Sequence, residues 1–256
     1  MSLLKRFAYF VGLPVVLLIL WWALTIGNTN FFVPKPLQLF EIFGDVWFGE
    51  RMTRDVLPSI GRILVGIVVS IIAGVVLGIL IGSVRVLRML MEPALEFLRA
   101  IPPPVIIPVF ALVMGINDQM RIAVIVFGCI WPVLLNTIEG VRAVDSVLND
   151  TCAVYGIRGG ARLRHLVLRA ASPQIMTGVR QSISIGLILM VISEMLGSAS
   201  SGLGHTIVQF QRTFAVPEMW TGIILLGLLG VALSLIFQFT EKRVLRWYHG
   251  LREVDR

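Results

Sequence analysis

The residues of this chain with the most chemical potential lie inside an apolar stretch. Between Ile175 and Leu196 stand Thr177, Arg180, Gln181, Ser182, Ser184, Ser193 and Glu194. Ionisable and amide groups among lipid chains cost free energy, so they mark either a path for a polar solute or an internal pair. Glu194 lies near one end of the stretch, and a partly hydrated interfacial carboxylate is an equal reading of it. Arg180 is placed to reach the nearer interface along its aliphatic stem. Covalent and metal chemistry have no comparable set: Cys129, Cys152, His165, His205 and His249 are scattered without metal-ligand spacing. No Gly-x-x-x-x-Gly-Lys-Ser/Thr loop and no nucleophile–base set is present, so the chain is expected to hydrolyse nothing itself. Gly202 and Gly204 read as loop geometry.

A second group lies in the basic segment from residue 140 to 173. Asp145 has the side chain of a helix N-cap. Val147, Leu148, Thr151, Cys152 and Tyr155 then follow on one largely apolar helical face. Gly156 sits where a helix end favours a left-handed residue. After Ile157-Arg158-Gly159-Gly160, a second short helix carries Leu163, Leu166 and Val167 on one face, and Pro173 precedes the next apolar stretch. These helices are too short and too charged to cross a bilayer. Their apolar faces either lie against headgroups and the chain's own helix ends or dock on a partner, and the residues alone leave both open.

The elements that position these groups follow from composition. The chain has 256 residues, 57% hydrophobic and 14% charged, with a mean hydropathy of +0.88. Its apolar residues come in runs that match the roughly 20 residues needed to cross a hydrocarbon core. The expected class is an all-α membrane protein in one domain, with six spans near residues 9–26, 60–81, 104–116, 122–135, 175–196 and 220–239. The first run follows Lys5-Arg6 but is longer than a signal core and reads as a retained span. The third is short and rich in proline, a sign of broken backbone enclosed by protein or lining a cavity. Gly74, Gly78 and Gly82 fall on one face of the second span and suit close helix packing. The polar segment Asn28–Pro58 holds a short surface helix near Leu37–Trp47.

Charge placement orients the spans. With the N-terminus cytoplasmic, fifteen basic residues lie inside: Lys5, Arg6, Arg85, Arg88, Arg99, Arg142, Arg158, Arg162, Arg164, Arg169, Lys242, Arg243, Arg246, Arg252 and Arg256. Six lie outside (Lys35, Arg51, Arg54, Arg62, Arg121, Arg212), and Arg180 is within a span. This is the positive-inside asymmetry, with both termini cytoplasmic. The net charge of +7 is then accounted for by topology and anionic membrane lipid, with no nucleic-acid partner needed.

Asp150-Thr151-Cys152, Gly156 and Leu166-Val167-Leu168 also share the spacing of a known motif. It runs Glu-Ala-Ala, three residues, Gly, nine residues, Ile, one residue, Leu-Pro. The chain resembles the membrane-spanning permease subunit of bacterial binding-protein-dependent ABC importers, in which that motif is cytoplasmic. It departs at Asp150, Cys152 and Arg169, which stand for Glu, the second Ala and Pro. Arg99–Pro103, Phe110–Ile116, Trp131–Thr137, Gly140–Asp145, Glu194–Gly197 and Ser201–Gly204 resemble the nitrate, taurine and alkanesulfonate branch, and the likeness runs from Pro34 to Trp247.

The resemblance implies a type I importer permease in the bacterial cytoplasmic membrane, paired with a second permease copy and expected to be a homodimer. A cytoplasmic ATPase dimer would carry ATP and Mg, and a soluble binding protein would deliver the solute. Asp150, Thr151, Cys152, Ala153, Tyr155, Gly156, Leu166 and Leu168 would couple to the ATPase. Phe110, Met114, Gln181, Ser193 and Glu194 are assigned to the translocation path. The expected solute is a sulfonate, taurine or nitrate type anion, with a pyrimidine vitamin precursor or aromatic acid as alternative. A secondary transporter would require inverted repeats and paired midplane acids, and neither is evident. A non-transporting scaffold is the remaining rival.

Overall fold

The computed structural model describes residues 3–27, 30–196 and 201–248, with side chains from Gly12 onward. Asn28, Gly197, His249, Arg252, Arg256 and the side chains of Lys5 and Arg6 lie outside the described residues. Among the described residues the regular structure is helical. In chain order it comprises α1 (Leu3–Thr25), α2 (Pro36–Trp47), a π-helical turn (Met52–Val56) running into α3 (Leu57–Ser83), α4 (Arg85–Ala100), and a 3-10 turn (Pro103–Ile106) running into α5 (Ile107–Met114). Then come α6 (Asp118–Arg142), α7 (Ser146–Val154), α8 (Gly159–Arg162), a second π-helical turn (Leu163–Val167), α9 (Leu168–Leu196), α10 (Leu203–Arg212) and α11 (Val216–Val244).

Among the described residues, four continuous stretches are long and apolar enough to cross a membrane: Met52–Ser83, Asp118–Arg142, Gly159–Leu196 and Val216–Val244. Arg85–Ala100 and Pro103–Met114 would make a fifth, bent by 84° at Ile101-Pro102. The 23-residue α1 has a shorter apolar part, Gly12–Thr25, among its described side chains.

The core is built on α3, α6 and α9. A Cβ added at Gly66 would meet Ile125 at 2.5 Å, at Gly74 Val133 at 2.8 Å, and at Gly78 Thr137 at 2.6 Å. The glycines expected to allow close packing therefore form one seam. Because both residue numbers rise together along it, α3 and α6 run parallel. Cys129 lies against Ser182, and Gly140 against Ala171, so α9 runs antiparallel to α6. Gly230 packs on Leu187 and Glu241 pairs with Arg180, so α11 is antiparallel to α9. The end of α11, the start of α9 and α7 consequently share one end of the bundle.

Parallel α3 and α6 require the chain between them to return the full length of the bundle. The residues near 104–116 were expected to do this as one span. Instead, Pro102-Pro103-Pro104 breaks the path, because proline removes helix donors and biases the preceding residue away from helix. The twelve residues Pro103–Met114 rise only about 18 Å, less than the roughly 30 Å of a hydrocarbon core. α4 supplies the rest.

Two other boundaries differ from expectation. The run expected near 122–135 as the fourth span is part of a 25-residue helix, Asp118–Arg142. The second short helix of the basic segment is not separate: it continues through the π-helical turn into α9, with Pro173 inside that helix. Leu166 and Val167 are the reason. They are 8% and 3% exposed, and Val167 packs with Val133, Ala171 and Ile175, which fixes the segment to the core.

Candidate functional site

The α7 segment is built to present a fixed surface. Asp145 Oδ1 accepts the Val147 N–H at 2.8 Å and caps the first turn. At the other end the Ile157 N–H donates to the Cys152 carbonyl at 2.8 Å, and the Gly156 N–H to the Ala153 carbonyl at 3.2 Å. This is a Schellman closure, and Gly156 takes the φ of +68° it requires. Arg162 Nη2 donates to Asn149 Oδ1 at 2.6 Å, tying α7 to the start of the long helix that continues as α9.

No residue of α7 is buried. Val147 and Tyr155 are 67% and 77% exposed, and Leu148 is also exposed. Val154, absent from the expected face, is 84% exposed. Asp150, Thr151, Ala153 and Gly156 are exposed, and Cys152 is half-buried. Leu168 is half-buried beside Arg169. Leu166, by contrast, is buried. Its side chain is directed into the protein and anchors the segment to the core.

Phe110 and Met114 line an open cavity of about 710 Å³ between α5 and α6. Phe127 stands edge-on to both Phe110 and Trp131, with ring centroids 6.2 and 5.7 Å apart. Leu98, Ile122 and Val126 continue the wall, and among the described residues no charged side chain lines it. Gln181 is exposed and accepts from Asn136 Nδ2 at 3.5 Å.

Ser193 and Glu194 have no exposed surface and do not join that cavity. Ser193 bonds back to the Met190 carbonyl. Glu194 Oε1 accepts from Arg62 Nη1 at 2.5 Å and from Ser59 Oγ at 2.7 Å. Its Oε2 accepts the Gly204 N–H at 2.9 Å. Arg62 also reaches Asp118 Oδ1 at 3.0 Å, which in turn accepts from Arg121 at 2.9 Å. The Gly202 and Leu203 N–H groups meet Asp55 at 3.2 Å and Ser59 at 3.0 Å. Three of the orphan N–H groups opening α10, those of Gly202, Leu203 and Gly204, are thus satisfied by side chains of α9, α3 and the turn before α3.

The interfacial, hydrated reading of Glu194 is excluded in this conformation; the carboxylate is an internal partner. Gly202 and Gly204 do more than shape a loop, since a Cβ at Gly202 would lie 2.5 Å from the Glu194 carboxyl carbon. Sequence reasoning missed Arg62, which was counted as an outside charge. The available signal was an acid in an apolar stretch, which requires a base, and Arg62 at the start of the second stretch.

Known proteins resemble the chain as a whole. The chain is 28% identical over 247 residues to a Bacillus subtilis (strain 168) protein named as aliphatic sulfonates transport permease protein SsuC, covering 95% of this chain and 89% of the relative. The Escherichia coli (strain K12) protein of the same name is 30% identical, covering 93% and 92%. A Synechococcus elongatus protein named as bicarbonate transport system permease protein CmpB is 30% identical, covering 84% and 81%. Among solved structures, the "Crystal structure of an amino acid ABC transporter with histidines" superposes with a TM-score of 0.56 at 14% identity, covering 81% of this chain and 96% of the other, which shows a shared fold. Residues 70–247 match the family described as "Binding-protein-dependent transport system inner membrane component". A permease of this kind is a non-catalytic, multi-pass inner-membrane subunit that works with an ATPase and a binding protein. The chain belongs to that family: it is the permease component of a binding-protein-dependent ABC importer.

Proposed function

We propose that this permease forms the path for a small organic anion of the sulfonate class, taurine included. In this reading it crosses the membrane six times, has both termini in the cytoplasm and works as a homodimer. The ATPase docks on α7, and the binding protein engages the opposite end, near α10. The observation that carries the coupling reading is the unpartnered apolar surface of Val147, Leu148, Val154 and Tyr155 on a helix closed at both ends.

The mechanism follows from how α7 is attached. Its tie through Asn149 and Arg162 leads into Gly159–Leu196, 38 helical residues or about 57 Å of rod. The far end of that rod is Glu194, which holds the start of α10. Closure of the ATPase moves α7, the rod carries the displacement, and the α10 end responds. The ATPase biases the two conformations by contacting α7 differently in each. Asp150, Thr151, Cys152, Ala153, Tyr155 and Gly156 form the contact, Leu168 flanks it and Leu166 anchors it.

The sulfonate class is supported by the names of two relatives and by the cavity beside Phe110 and Met114. A wall without charge suits a solute with an apolar body better than a bare inorganic ion. The aromatic lining from Phe110, Phe127 and Trp131 makes an aromatic acid the second reading. The test is uptake of radiolabelled ethanesulfonate into vesicles holding the permease, its ATPase and its binding protein. Competition by taurine and butanesulfonate supports the assignment. Competition by bicarbonate, nitrate or benzoate, with none from sulfonates, overturns it.

A further inference from the structure

Away from α7 and the aromatic cavity, a polar groove runs between α9 and α11. Its deeper part is a cavity of about 430 Å³ lined by Arg180, Ser184, Ser234, Gln238, Glu241 and Lys242. A neighbouring cavity of about 400 Å³ is lined by Arg169, Ser172 and Trp247, with Leu168 and Val244. Both helices belong to stretches long and apolar enough to cross the membrane. A row of polar side chains there is costly unless something polar meets them.

The internal contacts leave most of this row unused. Arg180 pairs with Glu241, and its guanidinium stacks 5.7 Å from the Phe237 ring centre. Among the described residues, Ser184, Ser234, Gln238 and Lys242 make no side-chain hydrogen bond to protein. Arg180 and Lys242 against Glu241 leave one positive charge uncompensated in the deeper cavity, and Arg169 supplies another cation in the neighbouring one. Lys242 lies in the last turn of α11, about 12 Å along the helix from Ser234. The groove therefore descends from a basic rim bearing an indole to hydroxyls and an apolar flank. Interfacial tryptophan and cations near the ends of spanning helices mark headgroup level.

We propose that this groove is a binding site for one anionic phospholipid from the leaflet on the α7 side. Its phosphate lies between Arg180 and Lys242. The Ser184 and Ser234 hydroxyls meet the glycerol ester oxygens, and Arg169 and Trp247 flank the headgroup. Basic pockets between helices on the cytoplasmic side suit such headgroups, because a phosphate there meets fixed cations in a low-dielectric wall. The site ties lipid composition to α9, which continues the helix begun at Gly159 and joined to α7 by the Arg162–Asn149 hydrogen bond. The proposal uses the membrane placement of α9 and α11 but not the identity of the transported solute.

The test is native mass spectrometry of the full-length permease in detergent, with phosphatidylglycerol, phosphatidylcholine, inorganic phosphate or ethanesulfonate added separately and in competition. The wild type retains one phosphatidylglycerol per chain and no phosphatidylcholine. Lys242→Gln weakens retention about fivefold, and Lys242→Arg restores it. Lys242 is exposed at a helix end, so the exchange leaves the bundle folded, and an unchanged elution volume confirms this. Equal retention of both lipids, retention of neither, or phosphatidylglycerol binding indifferent to Lys242→Gln overturns the proposal. Displacement of phosphatidylglycerol by phosphate or ethanesulfonate also overturns it and assigns the groove to a soluble oxyanion.

Discussion

Arg62 and Glu194 lie 132 residues apart in the chain and meet at 2.5 Å, with side chains 4% and 0% exposed. The contact joins α3 to α9 at the end of the bundle opposite α7. It also sets the entry to α10, because the same carboxylate accepts the Gly204 N–H. A buried ion pair gives little net stability over apolar packing, yet removing the acid leaves buried Arg62 with only the exposed Asp118 as counter-ion. Its value here is positional: it holds three helices in one arrangement.

Glu194→Gln should therefore destabilise the permease by about 3–5 kcal/mol, because Arg62 stays buried and loses its principal anion. Thermal unfolding of the detergent-solubilised protein measures this. The double exchange Arg62→Met with Glu194→Leu should recover part of the loss, as expected when neither charge is left alone. A melting temperature for Glu194→Gln equal to that of the wild type would show that the pair does not hold the helices.

The α3–α6 seam makes a second prediction. A Cβ at Gly78 would sit 2.6 Å from Thr137 Cβ and 3.0 Å from the Leu134 carbonyl oxygen, and backbone cannot move aside as a side-chain tip can. Gly78→Ala should cost about 1–3 kcal/mol through overpacking. Gly227→Ala, whose Cβ meets nothing within 4 Å, should leave stability unchanged. Equal melting temperatures for the two variants would contradict the close approach.

Filling the aromatic cavity tests its place in the path. Ala123 lines it beside Phe127. Ala123→Phe should reduce vesicle uptake of hexanesulfonate about tenfold more than that of methanesulfonate, the low end of what a misfit in a hydrophobic pocket can reach. Equal reductions for the two solutes would remove the cavity from solute selection.

The α7 contact can be mapped directly. Tyr155 is far more exposed than Cys152, so Tyr155→Cys in a Cys152→Ala background places a thiol on the surface. A short crosslinker should join it to the ATPase subunit in membranes. Capture of only lipid or a second permease copy would place the docking surface elsewhere.

Much of this was legible in the sequence because lipid imposes coarse rules. Runs of apolar residues mark most of the helices long enough to cross a membrane, the Gly74–Gly78–Gly82 spacing marks the seam, and Asp145 with Gly156 bounds α7. Failures came where tertiary packing decides. Pro173 was read as a boundary, but burial of Leu166 and Val167 carries helix straight through it. For Glu194 the sequence leaves a path, an internal pair and a hydrated interface open, because the pairing base lies 132 residues away in chain order. The turn at Pro102 could be read as broken backbone, but its 84° bend follows from the parallel course of α3 and α6.

The central claim is that α7 transmits the ATPase's work. Gly156→Val tests it most directly. Its backbone has φ +68°, where a β-branched residue is strained, and a Cβ there meets nothing within 4 Å. The variant should alter the α7 surface while the bundle stays assembled. In vesicles with ATPase and binding protein, solute uptake and binding-protein-stimulated ATP hydrolysis should both fall on the order of tenfold, with subunit assembly intact. Uptake and stimulated hydrolysis both equal to wild type would contradict the account.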